Sequence, residues 1–317
     1  MRTRLFVAMA IPMLVAVTAA AGPLGMNQVG KSANWVVHFD LDLFKASTIG
    51  TMVRGELANL GVEQKLAEFA YVFGFHPLND LRDVTLYGIG PDKNKAVVLI
   101  DAAFKVDQVL SILAMNPEYQ KTTHGDWVIH RWVDENKRDA NDPSAGVTYG
   151  GFFNDNLAIL SPSLDGVRSG LDVLAGVSAG ADAGTFAQNE LKLKGAFIQI
   201  AANRIDELAG DQQQAQMLKQ AKELGIAVGE SAGNFFIEGG LTANSEDAAI
   251  NLNKMMDGLL AFAMLASADQ PKLAELAQKV QTSRVVDTLR VRFEAPSESL
   301  VALLKELWHM QQAKPIQ

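Results

Sequence analysis

The stretch "WVVHFDLDLF", Trp35 to Phe44, sets His38, Asp40 and Asp42 at every second position. In an extended chain alternate side chains share one face. An imidazole with two carboxylates is a donor set that could hold a divalent metal ion, provided another segment completes the geometry. The competing reading is a strand that turns polar at its end and enters a helix, with Asp42 as the cap.

A second stretch, "GESAG" from Gly229 to Gly233, fits G-x-S-x-G. It resembles the nucleophile elbow of α/β-hydrolase esterases and lipases, a strained strand-to-helix turn that exposes a serine for attack on an ester carbonyl. By that resemblance Ser231 is the nucleophile, His309, the one histidine downstream, the base, and Asp287 one possible acid. The surroundings argue against it. "NFFIEGGL" follows and reads as a strand where a helix is required, and no HGGG-type oxyanion motif lies upstream. A flexible turn before a strand is the favoured reading.

"HGDWVIHRWVD" gathers His124, Trp127, His130, Trp132 and Asp134. Trp127 and Trp132 fall on opposite faces of a strand, so they cannot form one stacking platform. The chain has no HExxH, no phosphate-binding loop, no dinucleotide fingerprint and no Asp-rich calcium loop, so no cofactor is expected.

The elements that would position these residues repeat. "VVHFDLDLFKAS" and "FIQIAANRIDELA" are both apolar strands that turn polar and run into helix patterns. "TMVRGELANL" and "EQKLAEFAYVFG" continue the first copy as helix, and "QQQAQMLKQAKEL" the second. Strand pairs follow: a hairpin in "DVTLYGIGPDKNKAVVLIDA", and strands within "NFFIEGGLTANSEDAAI". Helices follow these, with Val106, Val109, Leu110 and Leu113 on one side of the first. Each copy then closes with strand and helix, where "SPSLDGV" matches "APSESLV": Pro stops the strand, Ser caps the helix, and Val starts its apolar face.

This predicts an α+β protein of two tandem copies of a strand–helix–hairpin–helix–strand–helix unit, with antiparallel sheets and helices on one face. The units span 34–176 and 195–310, after an N-terminal linker at 22–33, with a linker at 177–194 between them and a tail at 311–317. Aligning the copies sets His38 against Gln199, Asp40 against Ala201 and Asp42 against Asn203, so the metal set is not kept and the helix cap is. The first copy is longer by an extra strand pair. It also holds the polar stretch "DENKRDANDPSAG", Asp134 to Gly146, expected to be an exposed hairpin loop that proteases cut first between Glu135 and Ala145.

Arg2 and Arg4, the apolar run "LFVAMAIPMLVAV" and small residues at Ala19 and Ala21 follow the order of a secretory signal peptide, residues 1–21, cleaved after Ala21. The run is short for a transmembrane helix, no cysteine follows it to carry a lipid, and no later segment is a candidate span. The formal charge of −8 becomes −10 once Arg2 and Arg4 leave, a poor match to nucleic acid or anionic lipid. With no cysteine, disulfides, thiolate catalysis and Cys-ligated metals are excluded.

"NWVVHFDLDLF", "HGDWVIHRWVDE", "TYGGFFNDNLAILSPSLDGVRSGLDVL" and the leader resemble exported proteins of unknown function from planctomycete-type bacteria. The resemblance implies export and a duplicated α+β architecture, and it implies no activity. The expectation is a soluble, non-enzymatic exported protein, periplasmic or extracellular, that binds or scaffolds a protein or small molecule. The alternatives are a serine hydrolase at Ser231 and a metal-binding protein at His38, Asp40 and Asp42.

Overall fold

The computed structural model describes residues 24–139, 141–182, 184–186, 189–208, 219–266 and 271–312. The leader and Ala21 lie outside them, as do most of "QQQAQMLK" and the side chain of His309. The strands are β1 (Trp35–Asp40), β2 (Leu81–Gly88), β3 (Ala96–Ala102), β4 (Gln120–His124), β5 (Trp127–Val133), β6 (Val147–Asn154), β7 (Leu157–Ser161), β8 (Ala196–Asn203), β9 (Ala221–Ser231), β10 (Asn234–Ala243), β11 (Gln281–Val285) and β12 (Thr288–Pro296). The helices are α1 (Leu41–Ala46), α2 (Thr48–Asn59), α3 (Val62–Phe73), α4 (Val106–Leu113), α5 (Leu164–Leu174), α6 (Ile205–Leu208), α7 (Glu246–Ala266), α8 (Pro271–Gln278) and α9 (Ser297–Gln312).

All twelve of these strands form one antiparallel sheet, in the order β11-β12-β10-β9-β8-β1-β2-β3-β7-β6-β5-β4. The α+β class and antiparallel pairing are those the sequence predicts. The two strands at the heads of the predicted copies lie side by side, so a single sheet runs through both. His38 pairs directly with Gln199, the residue the internal alignment sets against it. Outward from that pair the order is β1, β2, β3 on one side and β8, β9, β10 on the other. The first side ends in the additional strands β5 and β4.

Alternation along β1 explains its placement: Val36, His38 and Asp40 are buried on one face, while Trp35, Val37 and Phe39 on the other are half-buried. On the first face Val36, Tyr87, Val97, Leu99, Ile129 and Ile159 pack with Val167 and Leu171 of α5. Burial of such aliphatic side chains contributes about 1.5–3 kcal/mol each. Gly170 lets α5 sit down on the sheet, because a Cβ there would lie 2.2 Å from Cδ1 of Ile159. The opposite face is covered over β8–β12 by α6 and α7, through Leu224, Leu241 and Leu289 with Ile205, Ala249 and Leu252. Helices therefore cover both faces, where the pattern predicts one. A single wide sheet with apolar residues on both sides leaves two surfaces to be covered.

Two local readings also change. "AKEL", 221–224, opens β9 instead of ending a helix, held by pairing with β8 and β10. The chain between the copies is docked as well: Ala181 and Phe186 belong to the core under α5, and Glu190 is buried beside Arg290. The stretch 134–146 connects β5 to β6, and its described residues are largely exposed. Asp134 accepts from the Asn136 amide at 3.1 Å, and Arg138 pairs with Glu118 and Glu135.

Candidate ligand cavity

The structure separates the residues of the expected metal set. His38 and Asp40 share the α5 face of β1, where His38 Nδ1 is 2.9 Å from the Thr85 hydroxyl. Asp40 is itself the helix cap, accepting from the Leu43 amide at 2.8 Å. The strand ends at Asp40, so Asp42 falls inside α1, where it bridges to Lys45 at 2.6 Å. The cap expected at Asp42 thus belongs to Asp40. Asn203 donates its side chain to the carbonyl of Thr185. Among the described residues no group of three His, Asp or Glu side chains is placed to hold a metal ion.

The GESAG stretch closes the β9–β10 hairpin. Ala232 at φ 50° and Gly233 at φ 80° form its two-residue turn, the left-handed pair that a tight hairpin of this kind requires. Ser231 pairs with Asn234 at one end of β10, while the Asp287 carbonyl meets the Ala243 amide at the other. The ten residues between span about 30 Å at ~3.3 Å each. The turn leads into a strand, and Ser231 and Asp287 are not brought together. Within the motif, Glu230 holds the start of α2, taking hydrogen bonds from the Thr48 amide at 3.0 and 3.1 Å and from its hydroxyl at 2.6 Å. Trp127 and Trp132 occupy opposite faces, as predicted. Trp127 stacks on Phe153, and His130 meets the Tyr119 hydroxyl at 2.7 Å.

The geometry that could serve a ligand lies elsewhere. A cavity of about 620 Å³ opens between the loop Gly30–Ala33, the end of β2 at Tyr87–Ile89, the segment Asn94–Val97 and the first turns of α5. That is the size range of small-molecule sites. Two serines hold its wall in place, Ser163 among the lining residues and Ser161 buried outside them. Ser161 donates to the Ala96 carbonyl at 2.8 Å and Ser163 to that of Asn94 at 2.7 Å, pinning α5 to the turn before β3. Ser163 also caps α5, accepting from the Gly166 amide at 3.1 Å. Gly166 is required there, since a Cβ would lie 2.2 Å from the Ser161 hydroxyl. The interior is formed by Tyr87, Val97 and Val173, with Lys31 and Lys95 exposed at the mouth. Tyr87 is 5% exposed and its hydroxyl has no hydrogen-bond partner among the described residues. Burial raises its pKa well above the ordinary range, so it remains a protonated donor.

Two constellations escape sequence reading. Asp40, Asp83 and Asp101 are successive cross-strand neighbours on β1, β2 and β3. Burial, and then the charges of Asp101 and Asp40, push Asp83 up to about 7. Burial likewise raises Asp40, and Arg82 pairs with Asp101. His124 Nε2 lies 2.7 Å from Asp172, tying β4 to α5. Pairing register is needed to find the first, and helix docking to find the second.

The architecture is an α+β fold built on one wide antiparallel sheet. No known protein family matches the chain, and no curated protein matches it. Among solved structures it is similar to the treponemal protein TP0453 in two crystal forms. Form I is 10% identical with a TM-score of 0.46, covering 91% of this chain and 98% of that one. Form III is 8% identical with a TM-score of 0.45, covering 90% and 98%. No described helix is long and apolar enough to cross a membrane.

Proposed function

We propose that this chain is an exported, non-enzymatic binding protein that holds a small ligand in the cavity beneath the N-terminus of α5. The cavity carries the reading: a ligand-sized space with an apolar interior and polar groups confined to its mouth. Its lining offers hydroxyls, amides, amines and the carboxylate of Asp165 but no histidine or thiol. Export rests on Arg2, Arg4 and the apolar run before Ala21. Duplication of an ancestral unit is supported by the matched strand order around the His38–Gln199 pair. The matched helix joints at Pro162–Ser163 and Pro296–Ser297 support it too.

Mass spectrometry of organic extracts from natively purified protein tests this reading. A stoichiometric small molecule is expected with the wild type and not with a Ser169→Trp variant, which fills the cavity from an exposed helix position. Robust turnover in a panel of hydrolase, transferase and lyase assays would overturn it.

A further inference from the structure

We infer that the cavity is selective for a compact apolar molecule carrying a single negative charge, with its body against Tyr87, Val97 and Val173 and its charged end between Lys31 and Lys95. This inference rests on the binding reading above and adds the chemistry of the ligand. The volume of about 620 Å³ suits a body of two or three fused or linked rings, or a branched chain of similar bulk. The interior residues offer such a body contact and nothing ionic. The charge preference comes from the mouth. Lys31 and Lys95 are both exposed there, and neither takes part in an ion pair among the described residues.

The first turn of α5 adds to it. Helix N-termini favour negative charge, and Asp165 and Gly166 of that turn line the cavity. Asp165 is the one acid among the lining residues, and its carboxylate is 91% exposed and 3.5 Å from Arg168. Asp182 also acts on Lys31, so Lys31, Lys95 and Arg168 against Asp165 and Asp182 leave one net positive charge around the mouth, which favours a monoanion over a neutral molecule and is too little for a polyanion.

Two fluorescent probes with the same aromatic body separate the inference from the reading beneath it. N-phenyl-1-naphthylamine is neutral, and 8-anilino-1-naphthalenesulfonate carries one negative charge. Titrated into the full chain at low salt, the sulfonate should bind at least fivefold more tightly. Lys31→Gln with Lys95→Gln should remove that preference and leave the neutral probe unchanged. Ser169→Trp, or Ser178→Trp should the first variant not fold, should abolish binding of both. Equal binding of the two probes, lost in the tryptophan variants, would overturn the charge inference and leave the cavity reading standing. Binding that the tryptophan variants do not affect, or no binding of either probe, would overturn both.

Discussion

The Glu230 carboxylate grips the first residue of α2, accepting from both the amide and the hydroxyl of Thr48, 182 positions away in the chain. One acidic side chain on the β9–β10 hairpin thereby fixes a helix that begins beside β1. Burial alone would raise its pKa, but the hydrogen bonds from Thr48 oppose this and hold it below the ordinary value. A depressed acid contributes stability that is present above its unfolded pKa and lost as pH falls through the folded one. Glu230→Ala should cost about 1–3 kcal/mol at pH 7. The cost should shrink below pH 4, as urea unfolding at the two pH values would measure.

The opposite sign is expected at Asp83. Its folded pKa near 7 lies above the unfolded value, so the folded state holds the extra proton and stability falls as pH rises from about 4 to 7. Asp83→Asn should therefore raise stability at pH 8 by on the order of 1 kcal/mol and change little at pH 4. Paired denaturation curves for wild type and variant check this, and a variant that is less stable at pH 8 would refute it.

Glu190, 4% exposed, sits 3.3 Å from Arg290 and over the bare backbone of Gly240. A Cβ at Gly240 would lie 2.5 Å from its carboxylate oxygen. Gly240→Ala should push the carboxylate off Arg290 and cost about 1–3 kcal/mol. In a Glu190→Ala background the same change should cost much less. A double-mutant cycle in guanidinium reads the difference, and additive effects would show that the two residues do not meet.

Trypsin should open the folded chain first at Lys137 or Arg138. The β5–β6 connection around them is exposed and is anchored chiefly by short-range turns and surface ion pairs, which contribute little. Mass spectrometry of the first fragments decides this. A first cut within 245–266 would show that the loop is the better protected segment.

Patterns that repeat within one element are legible in the amino-acid sequence by itself. The helical spacing of Val106, Val109, Leu110 and Leu113, the alternation along β12, and the Pro–Ser joints at Pro162 and Pro296 all identify real elements. What depends on partners is not legible there. Ala221 to Leu224 have helix-forming side chains, and pairing with β8 and β10 overrides that local preference. The cap is Asp40 and not Asp42 because β1 stops where α1 turns away from the sheet, two residues earlier than composition suggests. The cavity leaves no trace in the sequence for a different reason. Its walls come from segments spread between Gly30 and Ala179, and none of them carries a pattern of its own.

The pairing of β1 with β8 also sets how the chain can be divided. A single nick after Gly184 would leave each fragment with one raw inner edge, β1 on the first and β8 on the second, bearing a full row of open amides and carbonyls. Each edge is the template of the other in register and direction. The two pieces should seek each other out and reconstitute the whole, and either alone should be prone to stick to copies of itself.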